Sequence, residues 1–266
     1  MTFADILYGV EGRVATIRLN RPNSLNALTP GMLTEIDDAL DRAAADESVG
    51  AIMLTGEGRG FCSGVDLVDM NAAPPLDAEG RLDLGQLVGR SFNPVIRKMR
   101  DLPKPIVAAV NGVAAGAGAN LALMADLTIA ARSAYFLQAF VNIGLVPDAG
   151  GTWILPRTLG PQRARGLAML GEKLPAEQAK SWGLIWDVAD DDRLMAAAQA
   201  IASKLAAASG IAVARIKRAI DAAAQNDLAT QLDLERDLQR ECGRSQDFEE
   251  GVMAFREKRA PNFKNR

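Results

Sequence analysis

Three turns rich in small residues lie where the chain could bind an anionic oxygen. They occupy residues 61–67, 113–120 and 146–152, and each is predicted to follow a β-strand and precede a helix. At such a junction the first backbone N–H groups of the helix have no partner, and the helix dipole favours negative charge. Two such groups directed at one oxygen would stabilise an oxyanion. Taken singly, the glycines could instead serve only tight turns, whereas a dinucleotide-binding fingerprint fits poorly because Leu121 replaces its third glycine.

The third turn carries an acidic residue, Asp148, that could transfer protons. The sequence contains no histidine, which excludes Ser-His and Cys-His catalysis, histidine metal sites and histidine bases. Acid–base chemistry must therefore use Asp, Glu, Lys, Tyr or Cys. The apolar neighbours Phe140, Leu145 and Val146 would raise the pKa of the Asp148 carboxyl. The competing interpretation is that Asp148 merely caps a helix that begins at Gly150.

The composition gives no sign of a nucleic-acid or membrane partner. The 266 residues include 30 basic and 33 acidic side chains, for a net charge of -3, without a basic block. Residues 105–131 are apolar, but Asn111, Asn120 and Asp126 interrupt them, so this region is predicted to be strand, loop and buried helix. The N-terminal residues lack the pattern of a secretion signal, and Cys62 and Cys242 form no metal or redox spacing. We therefore expect a cytoplasmic protein.

Hydrophobic periodicity predicts an α/β fold in the first part of the chain and helices in the last part. Predicted strands occupy residues 13–19, 50–54, 105–110 and 127–131. Predicted helices follow Thr29 and occupy residues 117–126, 194–208, 211–225, 228–242 and 247–258, with Ser245 as an N-cap. Residues 71–89 are weakly patterned and rich in Gly, Pro and Asp, so they are expected to form a mobile loop or lid beside the site.

Motifs along essentially the whole chain resemble the crotonase (enoyl-CoA hydratase/isomerase) superfamily. The matching segments are residues 19–28, 61–67, 105–118, 150–157 and 176–184. The resemblance implies a ClpP/crotonase-type spiral of ββα units in residues 1–192 and a C-terminal helical region in residues 193–266. That region would pack against partner subunits in a homotrimer or a dimer of trimers, although its apolar faces could instead cover their own domain. The resemblance also implies an acyl-CoA substrate, with coenzyme A present only as part of it and with no separate cofactor or metal.

The same resemblance assigns roles to residues of the first two turns. The oxyanion hole would be formed by the backbone N–H groups of Val65 and Ala117, which follow Gly64 and Gly116. These groups would hold the thioester carbonyl as it becomes an enolate. The path of the coenzyme A nucleotide and pantetheine would be lined by Ser24, Ala27, Ser63, Gly64, Asp66, Leu67 and Gly116. For Asp66, a helix-capping role is at least as good an interpretation.

The resemblance also bears on the reaction. Hydratases of the superfamily activate water with two glutamates, and the matching positions here are Asn120 and Phe140, neither of which can transfer a proton. A single carboxylate, Asp148, suits isomerisation, in which a proton leaves one carbon and is returned at another. Residues 113–119, 144–157, 182–186 and 231–240 are most similar to the 1,2-epoxyphenylacetyl-CoA isomerases of phenylacetate degradation. An isomerase is therefore expected, with an enoyl-CoA hydratase and a non-catalytic acyl-CoA-binding protein as the alternatives.

Overall fold

The computed structural model describes residues 3–68 and 75–264, and the strands within them form two sheets. The strands are β1 (Ile6–Glu11), β2 (Val14–Leu19), β3 (Ala51–Gly56), β4 (Gly60–Cys62), β5 (Ile106–Val110), β6 (Val113–Ala115), β7 (Leu127–Ala131), β8 (Tyr135–Leu137), β9 (Lys173–Pro175) and β10 (Asp187–Ala189). The first sheet has the order β1-β2-β3-β5-β7-β10, and the second has the order β4-β6-β8-β9. The pairs β3–β4, β5–β6 and β7–β8 each give one strand to each sheet, which is the repeated ββ unit that was expected.

Most neighbouring strands in both sheets are parallel. In the first sheet only the β1–β2 pair is antiparallel among the described strands, and in the second only the β8–β9 pair is. Strands β3 and β5 are buried along their whole length, as expected for parallel strands that are covered on both faces. Within each sheet, the chain passes from one parallel strand to its neighbour through a helix or a long connection.

The helices lie between and after these strands. They are α1 (Pro30–Ala45), α2 (Leu84–Leu87), α3 (Asn93–Asp101), α4 (Ala117–Leu123), α5 (Gly151–Leu170), α6 (Ala176–Ser181), α7 (Leu194–Ala206), α8 (Gly210–Ala223), α9 (Leu228–Gly243) and α10 (Gln246–Glu257). A π-helical turn, Val88–Phe92, joins α2 to α3, and short 3-10 helices occupy Pro22–Ser24, Ala139–Ile143 and Asp191–Arg193. Helix α5 breaks at Gly160, which has a non-helical φ of 74° and ψ of 164° and is followed by Pro161.

The first of the C-terminal helices is part of the core. Helix α7 packs on β3 and β5, and its Ala198 and Ala202 are fully buried. Small side chains at helical spacing allow the helix to approach the sheet closely. The division into a core of residues 1–192 and an oligomerisation region of residues 193–266 stays a prediction. Helix α7 lies in the second of these regions but packs on strands of the first.

Most predicted elements are confirmed, with small shifts at their ends. The strand predicted at residues 127–131 is β7 with the same bounds. Thr29 caps α1, because its Oγ1 accepts a hydrogen bond from the Met32 N–H at 3.1 Å. Ser245 caps α10 in the same way, through the Phe248 N–H at 3.2 Å.

Two predictions of local structure are wrong in part. The third small-residue turn follows the 3-10 helix Ala139–Ile143 rather than a strand. The segment at residues 71–89 is not irregular throughout, since α2 and the start of the π-helical turn lie in it; residues 69–74 lie outside the described part. Helix α2 forms because Asp83 caps it through the Gln86 N–H at 3.3 Å. The mobility of this segment stays a prediction.

No single helix in the described part of the chain has both the length and the apolar composition of a membrane span. The segments Asp191–Ala206 and Gly210–Ala223 have both only when taken together, and they are bent by 104° at the break between them.

Removal of the α1 cap is expected to destabilise the fold. In Thr29→Ala the Met32 N–H loses its acceptor at the helix start, and we expect the free energy of unfolding to fall by about 1 kcal/mol. Urea denaturation measures this change. The control is Thr34→Ala, because Thr34 is an exposed residue of the same helix; a loss as large as that of Thr29→Ala would contradict a capping role.

Candidate active site

The first two glycine turns lie side by side because the strands that precede them are parallel neighbours. Strands β4 and β6 pair in parallel, so the chain leaves both at the same edge of the second sheet. A Cβ built on Gly116 would lie 3.9 Å from the Cα of Gly64. The backbones of the two turns are therefore almost in contact.

The backbone N–H of Val65 is directed away from the chain segment that flanks it. The Leu28 N–H donates to the Gly64 carbonyl at 2.7 Å, and the Asp66 N–H donates to the Leu28 carbonyl at 2.9 Å, so Leu28 pairs in parallel with Val65. In such a pair the central residue directs its own N–H and C=O to the opposite side. Within residues 3–68 and 75–264, the Val65 N–H has no acceptor.

The backbone N–H of Ala117 is the second free donor. Ala117 is the first residue of α4, so its N–H has no partner within the helix, and none is found elsewhere in the described ranges. Gly116 precedes it with a φ of 53° and a ψ of -130°, a combination that is essentially restricted to glycine. The ψ angle of Gly116 rotates the peptide that carries the Ala117 N–H, so this glycine sets the direction of the donor.

The residues that carry both donors line a cavity of about 630 Å³. Its walls are mainly apolar and include Leu84, Leu87, Val88, Phe92, Phe140 and Val146. Among the described residues that line the cavity, Asp148 is the one ionisable side chain. An apolar cavity with a few convergent polar groups is typical of a small-molecule binding site.

The Asp148 carboxyl group is partly enclosed by these walls. Its Oδ1 is buried and has no hydrogen-bond partner in the part of the chain that the structure describes. Burial raises the pKa of the Asp148 carboxyl to about 6, and a hydrogen bond from its own backbone N–H opposes the rise. The N-cap of α5 is Gly150, and no side chain bonds to the free N–H groups at this helix start. The interpretation of Asp148 as a side-chain cap is therefore wrong, and Asp148 belongs to the lining of the cavity.

Burial of the Asp148 carboxylate is expected to lower the stability of the fold at neutral pH. The folded-state pKa of about 6 lies above the ordinary value, so the folded chain holds this proton more tightly, and the free energy of unfolding falls as pH rises from about 4 to about 6. We expect Asp148→Asn to remove this dependence and to be more stable than wild type by about 1–3 kcal/mol at pH 7.5, with no advantage at pH 3.5. Urea denaturation at both pH values measures the difference. Equal stability of the two proteins at pH 7.5 would show that the carboxylate is well solvated.

A sequence profile described as enoyl-CoA hydratase/isomerase matches residues 9–266. The chain belongs to the enoyl-CoA hydratase/isomerase family. It is 52% identical over 258 residues to the 1,2-epoxyphenylacetyl-CoA isomerase of Escherichia coli K12, with 97% of each chain covered. It is 47% identical over 266 residues to a probable enoyl-CoA hydratase of Rhodobacter capsulatus, with 100% of each chain covered.

Solved structures of the enoyl-CoA hydratase/isomerase family show the same fold. The enoyl-CoA hydratase of Bacillus anthracis superposes with a TM-score of 0.92 at 33% identity, over 99% of this chain and 100% of the other. The resemblance inferred from the sequence motifs and the crotonase-type fold are both confirmed.

Most of the residues that the sequence analysis assigned to the site line the cavity described above. They are Ser63, Gly64, Val65, Leu67, Gly116, Ala117 and Asp148. Ser24, Ala27 and Asp66 are not among the residues that line it. Ser24 lies next to it, because its carbonyl accepts a hydrogen bond from the Ser63 Oγ at 3.0 Å.

Arg21 bonds to both Ala27 and Asp66, the other two predicted site residues that do not line the cavity. It donates to the Ala27 carbonyl at 2.6 Å and forms an ion pair with the Asp66 carboxylate at 2.9 Å. The Asp66 Oδ1 also accepts from the Val68 N–H at 3.1 Å. This local bonding favours the capping interpretation of Asp66, while its contact with coenzyme A stays a prediction.

Sequence reasoning missed the wall that α2 and the π-helical turn contribute. Leu84, Leu87, Val88 and Phe92 have helical spacing and line the cavity, so their periodicity was the available signal. It also missed any role for Asn120, whose side-chain contacts depend on packing across the chain.

Proposed function

We propose that the protein is an isomerase that acts on acyl-CoA thioesters through an enolate. The observation that carries the proposal is one cavity lined by two residues with free backbone N–H groups, Val65 and Ala117, and by one ionisable side chain, Asp148, among the described residues. The donors would hold the thioester oxygen, and the carboxylate would move the proton.

The proposed reaction needs only these groups. The Asp148 carboxylate removes a proton from the carbon next to the thioester carbonyl, and the electron pair of that C–H bond moves to the carbonyl oxygen. The resulting enolate accepts hydrogen bonds from the Val65 and Ala117 N–H groups. Asp148 then returns the proton to another carbon of the conjugated system. No atom is gained or lost, so the product is an isomer and the carboxylate is regenerated.

The apolar walls support both halves of this cycle. They raise the pKa of Asp148 to about 6, which leaves the group mainly ionised at neutral pH yet able to hold a proton in the intermediate. They also keep water away from the enolate, and the Phe140 ring lies 3.8 Å from a Cβ built on Gly116. Exclusion of water favours proton return over hydration.

We propose that the acyl group carries a six-membered ring. The Escherichia coli relative is named a 1,2-epoxyphenylacetyl-CoA isomerase, and the cavity presents Phe92 and Phe140 among its aliphatic walls. Conversion of 1,2-epoxyphenylacetyl-CoA to its oxepin isomer, together with double-bond shifts in enoyl-CoA, fits the one-carboxylate mechanism. Chromatography of the reaction with epoxyphenylacetyl-CoA and with a 3-enoyl-CoA tests both substrates.

Titration of Asp148 is expected to govern the rate at acid pH. Only the ionised carboxylate can remove a proton, so kcat/KM should rise with pH through about 6 and level off above pH 7. At pH 5 we expect kcat/KM to be about tenfold below the plateau. Initial rates between pH 4.5 and 8.5 measure this profile. A flat profile across that range would exclude Asp148 as the rate-governing base.

Hydration of an enoyl-CoA is the second candidate, because the Rhodobacter capsulatus relative is named a probable enoyl-CoA hydratase. Purified protein incubated with crotonyl-CoA separates the two functions. Efficient hydration that is lost in Asp148→Asn would replace the isomerase proposal. Binding of a thioester without exchange of its α-protons in deuterated water would indicate a non-catalytic acyl-CoA-binding protein.

We also propose that the protein assembles as a homotrimer or a dimer of trimers in the cytoplasm. Large apolar side chains are exposed on α8, α9 and α10, among them Ile220, Leu232 and Phe255, which supports a partner surface there. The unpaired Cys62 and Cys242 fit a reducing compartment. Light scattering after size exclusion tests the assembly.

Coenzyme A is proposed to enter only as part of the substrate, past Ser24, Ala27 and Asp66.

A further inference from the structure

Two buried amide side chains lie behind the turn that carries Asp148. Asn120 is fully buried, and Gln138 is 3% exposed. The Asn120 Nδ2 donates to the backbone carbonyl of Asp148 at 2.7 Å, and the Gln138 Nε2 donates to the Asn120 Oδ1 at 2.9 Å. These two bonds fix the orientation of the Asn120 amide, because a flipped amide would place oxygen against oxygen and NH2 against NH2.

The turn that this amide pair holds has an unusual backbone. Ala149 has a φ of 46° and Gly150 a φ of 81°, and an alanine at positive φ persists only where surrounding contacts hold it. The Asp148 carbonyl accepts from the Gly151 N–H at 2.8 Å as well as from Asn120. A Cβ built on Gly151 would lie 2.8 Å from the Asn120 Cγ, so the amide approaches the turn as closely as glycine permits.

Asn120 also belongs to the helix that supplies the second oxyanion donor. Its backbone N–H donates to the Gly116 carbonyl at 3.2 Å, which closes the first turn of α4 over Ala117. One short helix therefore holds a donor to the enolate at its first residue and the carbonyl of Asp148 at its fourth. That turn of helix therefore links the Ala117 N–H to the backbone of Asp148.

We propose that Asn120 and Gln138 are positioning residues for Asp148. They hold its backbone so that the carboxyl group stays in the cavity and does not relax onto the free N–H groups at the start of α5. Neither amide side chain is among the described residues that line the cavity, so they act through Asp148 and not on the substrate. The proposal rests on the proposed function.

The test compares Asn120→Ala and Gln138→Met with wild type in kcat, KM and the pH midpoint of kcat/KM. We expect kcat to fall by about 30- to 100-fold in Asn120→Ala, because a misplacement of about 1 Å has an effect of this order. In Gln138→Met, which keeps the side-chain length, we expect a smaller loss of about tenfold. KM should change less than about threefold in both, because substrate contacts are kept. The pH midpoint should move to lower pH, because a released carboxylate reaches solvent or helix N–H groups.

The matched control is Thr128→Val. Thr128 is a buried residue of β7, and its Oγ1 donates to the carbonyl of Ala122 in α4 at 2.9 Å. The variant therefore removes a buried hydrogen bond to the helix that contains Asn120, but not one that contacts Asp148. It should lose stability but keep the wild-type pH midpoint. If Asn120→Ala does not fold, the kcat and pH midpoint of Gln138→Met test the proposal instead.

The outcomes separate the two proposals. Folded Asn120 and Gln138 variants that keep both the wild-type kcat and the wild-type pH midpoint, beside an inactive Asp148→Asn, would overturn the positioning role alone. An active Asp148→Asn would overturn the proposed function itself. A midpoint that shifts equally in Thr128→Val would show that any loosening of α4 is sufficient, and would also overturn the specific role of the amide pair.

Discussion

Replacement of Asp148 by Asn is expected to lower kcat for isomerisation by about 10³-fold or more. Positioned general acid–base groups contribute about 10²- to 10⁴-fold, and here one carboxyl group serves both the removal and the return of the proton. The amide of Asn has the same shape but cannot accept or deliver a proton at neutral pH. Steady-state kinetics with epoxyphenylacetyl-CoA or a 3-enoyl-CoA measures the loss.

Binding of the thioester should survive this change. The oxyanion donors and the apolar walls are untouched, so calorimetry with an unreactive thioester should give a Kd within about threefold of wild type. Asp38→Asn, at an exposed position on α1, is the matched control and should keep full activity. Retention of more than about a tenth of wild-type kcat in Asp148→Asn would exclude its role as proton carrier.

Replacement of Gly116 by Ala is expected to lower kcat by about 10²- to 10³-fold, the effect of losing one oxyanion donor. Space is not the reason, since the new Cβ would lie 3.8 Å from the Phe140 Cζ and 3.9 Å from the Gly64 Cα. The reason is the backbone, because alanine does not tolerate a φ of 53° with a ψ of -130°. As the peptide rotates to relieve this strain, the Ala117 N–H turns away from the thioester oxygen.

The matched control for this prediction is Gly12→Ala. Gly12 has a φ of 57° and open space around a built Cβ, so the variant also places alanine at a positive φ, in the turn between β1 and β2, far along the chain from the donors. It should lose stability and keep kcat. If Gly116→Ala keeps kcat while losing stability to the same extent, the Ala117 N–H does not bind the developing charge.

Local signals in the sequence were sufficient for much of the fold and for the first two small-residue turns of the candidate site. Alternation predicted β2, and short polar side chains before apolar helical stretches located the caps Thr29 and Ser245. The free N–H of Ala117 follows from helix geometry alone, since the first residue of any helix lacks an internal partner. These features depend on residues close together in the chain.

Features that depend on distant contacts were not predictable in the same way. Asn120 and Asp148 are 28 residues apart, and no periodicity shows that the amide of one meets the carbonyl of the other. The competing cap interpretation of Asp148 was chemically reasonable, and what decides against it is that no side chain bonds to the start of α5, where the left-handed turn makes Gly150 the N-cap. The wall from α2 to Phe92 was missed because glycines and prolines nearby obscured its helical spacing.

The parallel pairing of β4 with β6 also determines which molecules a measurement of turnover counts. The two proposed oxyanion donors come from chain segments 52 residues apart, which follows from their positions at 117 and 65, and the segment between them includes β5, which pairs with β3 in the other sheet. Such non-local pairing forms late in folding because long loops must close first. We therefore expect turnover to count only the molecules in which both sheets are complete.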